Sequence, residues 1–147
     1  MTYRPIACLC SFSLPSDLGR LQRFEGNRAV APGCDKLLLA RCSLHGTLPQ
    51  SISHLHLLKV LDLSENRLTG TITRNHFLSL RVLEVCNLSR NRFSGPLPFF
   101  FNRLQQLKRI DLSFNLFTGP IPPEWVQLSR LQECALTGNA LDPSDLR

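Results

Sequence analysis

The chain has 147 residues, of which 43% are hydrophobic and 19% charged, a balance that excludes intrinsic disorder and suits one buried core. Its formal net charge is +6, but the basic residues are dispersed. Only Lys108 and Arg109 are adjacent, so we expect no nucleic-acid-binding patch. No stretch approaches the roughly 18 apolar residues that a membrane-spanning helix requires.

The first feature along the chain is a short apolar stretch from Ile6 to Leu14, which follows Arg4. It lacks a small-x-small cleavage site, so it does not predict a convincing signal peptide. Cys8 and Cys10 lie in this stretch, and their spacing leaves open whether they form a capping disulfide or remain free thiols.

A repeat begins after this segment. The sequences LKVLDLSENRLTGTI (58–72), LEVCNLSRNRFSGPLP (83–98) and LKRIDLSFNLFTGPIP (107–122) share the pattern L-x-x-L-x-L-x-x-N-x-L-x-G-x-I-P. About five units fit this frame, and they begin at residues 34, 58, 83, 107 and 131. The asparagines that recur once per unit, 24 or 25 residues apart, are Asn66, Asn91, Asn115 and Asn139.

The pattern predicts the structure of each unit. The alternating L-x-L core predicts a short strand with its leucines inward, centred near Leu39, Leu63, Leu88, Leu112 and Leu136. A unit of 24 residues is too short for a strand and a full crossover helix, which together need about 30 residues. It suits one turn of a solenoid whose strands stack in parallel. The recurring asparagine is expected to turn the chain and to satisfy backbone groups with a buried amide.

The sequence therefore predicts an α/β solenoid, a right-handed superhelix with a parallel β-sheet on its concave face. Short helical or irregular turns are expected on the convex side, as at residues 51–55 and 123–128.

The second half of the unit, as in LTGTI, FSGPLP and FTGPIPPEW, resembles the plant-type leucine-rich repeat. Such repeats form the ectodomains of receptor-like kinases and receptor-like proteins, and they also form polygalacturonase-inhibiting proteins. The resemblance covers about residues 34–141. It implies an additional short strand in each unit and an extracellular or cell-surface location.

The predicted organisation has two parts. Residues 1–33 are expected to be a degenerate N-terminal segment with a partial repeat, because LPSDLGRLQRF (14–24) matches only the convex half of a unit. Residues 34–147 are expected to hold the leucine-rich repeats, the last of them incomplete. The capping cysteine pairs that the resemblance implies are not found, so we expect exposed core leucines and self-association through the ends of the stack.

No catalytic or metal-binding chemistry is predicted. Three cysteines, Cys34, Cys86 and Cys134, occupy inward apolar positions, and Cys42 replaces the recurring asparagine, so all four are interpreted as core residues. The four histidines lack metal-ligand spacing, and no nucleophile, base and metal set can be assembled. We therefore expect a chain that is not an enzyme and has no metal or cofactor.

The predicted binding face consists of the outward positions of the strands, which the repeat leaves free to vary. Within it, Arg90, Arg109, Asp111 and Phe114 combine an aromatic ring with guanidinium groups, as binding hot spots often do. A merely solvated surface is the alternative. The candidate ligand-binding residues are Lys36, Arg41, Val60, Asp62, Glu65, Val85, Asn87, Arg90, Arg109, Asp111, Phe114 and Glu133.

Two further features belong to this face. Ser64, Ser89, Ser113 and Thr137 form a column of hydroxyl groups, which we interpret as structural because a hydroxyl residue is the consensus of the repeat at this position. Asn87 heads the only N-glycosylation sequon, and a glycan there would obstruct the face. An unused sequon is the equally open alternative.

The functional prediction is a recognition module that binds a protein, peptide or glycan through the concave face. The alternative is a truncated or relic repeat fragment of a larger receptor-like protein, with a structural role only. We predict that the chain does not bind nucleic acid and that it contains no membrane span.

Overall fold

The computed structural model describes residues 35–143, except for the side chain of Ser51. Each unit begins with a three-residue strand, and these strands form one parallel sheet in the order β1-β3-β5-β7-β9. This sheet lines the concave face, and its strands are β1 (Lys36–Leu38), β3 (Val60–Asp62), β5 (Val85–Asn87), β7 (Arg109–Asp111) and β9 (Glu133–Ala135).

A second parallel sheet follows around the turn, in the order β10-β8-β6-β4-β2. It is the additional strand per unit that the resemblance implied. Its strands are β2 (His45–Thr47), β4 (Arg67–Thr71), β6 (Arg92–Pro96), β8 (Leu116–Gly119) and β10 (Ala140–Leu141).

Short helical turns complete the units on the convex side. Three are 3-10 helices, η1 (Gln50–His54), η2 (Phe99–Arg103) and η3 (Pro123–Gln127), and one is the α-helical turn α1 (Arg74–Phe77). The parallel solenoid predicted from the repeat is confirmed. The division into segments 1–33 and 34–147 stays a prediction, since residues 1–34 and 144–147 lie outside the described residues.

The predicted strand centres were wrong by two residues. The strands are centred on Leu37, Leu61, Cys86, Ile110 and Cys134. Beyond each strand, the residue just before the recurring asparagine, or before Cys42 in the first unit, adopts a left-handed conformation. Arg41, Glu65, Arg90 and Phe114 have φ between 54° and 56°, and Gly138 has φ of 76°. This residue, and not the asparagine, therefore makes the sharp turn.

The predicted asparagine ladder is confirmed. Asn91 is 7% exposed, and its side-chain Oδ1 accepts a hydrogen bond from the backbone N–H of Leu68 at 3.0 Å. Its Nδ2 donates to the carbonyl oxygens of Leu63, Leu88 and Ser89 at 2.9–3.2 Å. Because Leu63 and Leu68 belong to the preceding unit, each amide joins two units.

One continuous core lies between the two sheets and the convex turns, as expected for stacked units. Phe77, Phe93, Phe101 and Phe117 are almost completely buried in it. Cys42 and Cys86 are buried as predicted, whereas Cys134 in the last unit is exposed and Leu136 is only partly buried. Burial falls there because no described unit covers that end of the stack. Cys8, Cys10 and Cys34 lie outside the described residues, and self-association stays a prediction.

The second unit is irregular on its convex side. It has 25 residues instead of 24, and Thr73 stands near the position where other units have proline. Helical turn α1 forms here, and His76 is buried in it with 5% exposure. His76 Nδ1 accepts from the Thr73 N–H at 3.0 Å, and Nε2–H donates to the Leu48 carbonyl of the preceding unit at 2.7 Å. Burial lowers the pKa of His76, so the neutral imidazole persists.

Candidate functional site

Strand pairing places the predicted outward positions in columns across the concave sheet. Val60 pairs with Val85, which pairs with Arg109, and Arg109 pairs with Glu133. Lys36 precedes them at the β1 end of the same column. Neighbouring positions in such a column lie about 4.8 Å apart. One period of the sequence therefore brings residues that are 24 or 25 apart into direct contact range.

The second column is a row of hydrogen-bond acceptors formed by Asp62, Asn87 and Asp111. In each case Oδ1 accepts from the backbone N–H of the residue two positions later at 3.0–3.1 Å. The same oxygen also accepts from that residue's hydroxyl, at 2.5–2.7 Å. These bonds hold the three side chains in fixed, half-buried positions, with their second polar atom left for a ligand.

The placement of the hydroxyl column on the concave surface was wrong for its three serines, whereas Thr137 in the last unit is exposed. Ser64, Ser89 and Ser113 are only 6–7% exposed. Their hydroxyl groups turn back to the acceptors of the second column, and this contact covers them. The structural interpretation of these serines is confirmed, and the serines offer a ligand no accessible nucleophile.

The residues that make the sharp turns form the edge of the face. They lie beyond the ends of the strands, whereas the sequence pattern had placed them within the strands. Arg41 Nε donates to Glu65 Oε2 at 2.9 Å, an interaction that raises the pKa of Arg41. Farther along, the Arg90 guanidinium lies 4.4 Å from the centre of the Phe114 ring, in cation–π contact. Phe114 remains 45% exposed.

Gly138 makes room for the Phe114 ring, a relation that the sequence did not reveal. A Cβ atom at position 138 would lie 2.5 Å from Phe114 Cδ1, far inside normal contact distance. Phe114 is therefore held between Arg90 on one side and a glycine backbone on the other. An aromatic ring fixed in this way loses little conformational entropy when it contacts a ligand.

A shallow depression of about 380 Å³ lies over strands β5, β7 and β9. Its walls include Val85, Asn87, Arg109, Asp111 and Glu133, five of the predicted binding residues. Arg109 reaches across it to Glu133, with 3.0 Å between Nη2 and Oε1. The buried residue Cys86 also lines the depression, and its burial raises the pKa of its thiol.

The predicted face as a whole is charge-balanced. Four of its twelve residues are basic and four acidic: Lys36, Arg41, Arg90 and Arg109 against Asp62, Glu65, Asp111 and Glu133. The net charge of +6 therefore arises entirely from other parts of the chain. This face therefore suits a ligand that makes mixed polar, apolar and aromatic contacts, and it lacks the surplus of positive charge that would attract a polyanion.

Residues 35–143 contain neither a candidate metal site nor a candidate membrane span. Among residues 35–143, no three His, Cys, Asp or Glu side chains come together in a way that would hold a metal ion. The helical turns described above are all short, and within this range none is long and apolar enough to cross a membrane. The sequon residue Asn87 lies half-buried at the centre of the face, and its glycosylation stays a prediction.

Comparison with known proteins identifies the repeat. The family model described as Leucine Rich Repeat matches residues 57–80, 82–104 and 106–128. The fold of the chain is that of a leucine-rich-repeat solenoid. The repeats are similar to Receptor-like protein 41 of Arabidopsis thaliana, with 37% identity over 87 residues, 59% of this chain and 8% of that protein. The chain thus spans a small part of the length of this curated relative.

Solved structures of plant receptors share the fold of this leucine-rich-repeat chain. The Arabidopsis receptor kinase HAESA, in complex with the peptide hormone IDA and the co-receptor SERK1, has 36% identity and a TM-score of 0.68. That match covers 71% of this chain and 18% of the matched chain in the solved structure. The plant peptide hormone receptor RGFR1, in complex with RGF2, has 27% identity and a TM-score of 0.75 over 91% of this chain and 20% of that one.

Proposed function

We propose that this leucine-rich-repeat chain is a recognition module that binds an extended peptide segment through its concave face. The observation that carries the proposal is the composition of that face: balanced charges, a fixed aromatic ring and a row of oriented acceptors on one rigid sheet. Such a surface can contact the individual side chains of a peptide, whereas binding of a polyanion would require a surplus of positive charge on the surface. The similarity to the peptide hormone receptors HAESA and RGFR1 supports the proposal.

The geometry indicates what such a peptide would carry. Val60 and Val85 offer an apolar position at the start of the face, and they lie directly beside each other. Asp62 and Asp111 favour a basic side chain or backbone N–H groups, since each keeps one carboxylate oxygen outside its bond to serine. Phe114 supplies an apolar anchor at the edge. A peptide in which apolar side chains alternate with basic or amide side chains would complement the two valines, the two aspartates and the phenylalanine.

We further infer that the module acts outside the cell or at its surface, as the name Receptor-like protein 41 suggests for a relative with similar repeats. Its role would be recognition and not catalysis. The serines of the face are covered, and burial raises the pKa of the Cys86 thiol beneath it, so these groups offer no activated nucleophile.

A peptide selection followed by two matched double variants tests the proposal. Peptides of twelve random residues would be selected on the immobilised chain, and the affinity of the best binder would be measured by calorimetry. We expect Arg109→Ala with Phe114→Ala to weaken binding at least tenfold. The matched control, Arg67→Ala with Leu116→Ala, removes an exposed arginine and an exposed leucine from the second sheet and should leave the affinity unchanged.

The thermal midpoint should stay nearly the same in both double variants, because all four side chains are exposed. Equal affinities in the wild type and the concave-face variant would show that the selected peptides bind elsewhere. The proposal would then be wrong for this face.

A further inference from the structure

A cleft of about 530 Å³ opens on the convex side, away from the proposed peptide-binding face. It lies between α1 of the second unit and η2 of the third. α1 packs against η1, and η2 packs against η3, so the cleft forms at the junction between two packed pairs of turns. Its lining residues are Arg74, Phe77, Leu78, Arg81, Phe100, Asn102, Arg103, Leu104, Gln105 and Gln127.

Positive charge converges on this cleft. Arg74, Arg81 and Arg103 line it, and the lining contains no carboxylate. With the other residues of the described chain these three side chains form no salt bridge, in contrast to Arg41 and Arg109 on the concave face. Three guanidinium groups around one opening repel one another, and an anion between them would relieve that repulsion.

The lining of the cleft also includes apolar side chains. Among them, Phe77 and Leu104 are nearly fully buried, and Phe100 is 9% exposed. Leu78 lies at the opening and is 50% exposed, which is unusual for a large apolar side chain. On the opposite side, Asn102 Nδ2 donates to Gln127 Oε1 at 2.9 Å and fixes a wall of amide groups.

We propose that this cleft binds a small organic anion, with a carboxylate or sulfonate head and an aromatic or branched apolar body. The head would pair with guanidinium groups, which bind such oxyanions through two parallel hydrogen bonds. The body would cover Leu78 and contact Phe77 and Phe100. A small molecule is favoured over a long polyanion because the volume lies in the range of small-ligand sites and the three arginines surround one opening.

Calorimetric titration with 1-naphthalenesulfonate tests this site, with 2-naphthalenemethanol as its neutral counterpart. We expect saturable 1:1 binding of the sulfonate, weakened by added salt, and at least tenfold weaker binding of the alcohol. The variant Arg81→Gln with Arg103→Gln should weaken sulfonate binding at least tenfold. The control Arg67→Gln with Arg92→Gln removes the same charge from exposed positions on the second sheet and should change the affinity less than twofold.

A Leu78→Ser variant tests the apolar part separately and should weaken the sulfonate and the alcohol alike, with an unchanged thermal midpoint. Three outcomes would overturn the proposal: equal weakening in the two arginine variants, equal affinity for the sulfonate and the alcohol, or binding of poly-glutamate without binding of the sulfonate. None of these outcomes depends on the peptide-binding face, so the cleft and the proposed function can fail independently.

Discussion

Replacing Asn91 with alanine should destabilise the chain far more than the same change at Asn139, and the structure gives the reason. The substitution leaves the Leu68 N–H without its acceptor in a fully buried position. A buried unsatisfied donor costs about 1–3 kcal/mol. The Leu63 carbonyl loses one of its two hydrogen-bond donors but still accepts from Asn66 Nδ2 at 2.9 Å, so it contributes less to the destabilisation. We expect a total loss of about 2–4 kcal/mol in the free energy of unfolding.

Asn139 makes a similar set of bonds, to the N–H of Phe117 and the carbonyls of Leu112 and Leu136. It is only partly buried, however, so water can replace some of its bonds. Its unit also has a neighbour described on one side only, and solenoid stability is a sum of units and their interfaces. Asn139→Ala should therefore cost about 1–2 kcal/mol.

Urea titrations followed by circular dichroism would measure both variants, with Asn75→Ala as the control. Asn75 is exposed on α1, and its replacement should change the free energy of unfolding by no more than about 0.5 kcal/mol. If Asn91→Ala and Asn139→Ala lost the same stability, or if Asn139→Ala lost more, the assumed coupling between neighbouring units would be wrong.

Three further predictions concern other parts of the fold. The free energy of unfolding should fall as the pH is lowered through about 6.5, because the unfolded chain then protonates His76 while burial keeps the folded imidazole neutral. Urea titrations of His76→Gln should show a weaker pH dependence of this free energy, and an unchanged pH dependence would contradict the prediction. Gly138→Ala should cost about 1–3 kcal/mol in thermal unfolding, since φ is 76° and the added Cβ displaces Phe114, whereas a neutral result would mean that the ring moves freely. Asn87→Asp should lower the free energy of unfolding by about 0.5–2 kcal/mol at pH 7, because it places a third carboxylate between Asp62 and Asp111. If the variant were still less stable than the wild type at pH 3, charge repulsion would be ruled out as the cause.

The fold and the columns of the concave face could be predicted because the period encodes them directly. Once equivalent positions are aligned, residues one period apart must be neighbours, as Arg109 and Glu133 or Arg90 and Phe114 are. The buried amides followed from the same alignment. The positions of the sharp turns did not, because four of the five turn residues with positive φ are not glycine. Only Gly138 carries a residue type that signals such a backbone.

The serine column shows a second limit of pattern-based prediction. Alternation places Ser64 on the same side as Asp62, which suggests an exposed hydroxyl. The carboxylate two residues earlier instead folds over the hydroxyl and the N–H that follow it, and one local hydrogen-bonded turn removes the serine from the surface. A two-residue periodicity carries no information about such a contact, although an Asp or Asn two positions before a Ser is a signal that could have indicated it.

The convex cleft follows from the way in which neighbouring units are joined, which an alignment of the repeat hides. Trp125 Nε1 donates to the Pro98 carbonyl at 2.8 Å and joins η3 to the unit before it, while His76 makes the corresponding bond to Leu48. Counted from the start of each unit, His76 and Trp125 occupy the same position, whereas their acceptors, Leu48 and Pro98, differ by one position. Within the described residues no side-chain hydrogen bond joins α1 to η2, where Phe77 and Phe101 meet only through their rings, 4.9 Å apart. The cleft therefore opens at the junction that lacks this hydrogen-bonded tie.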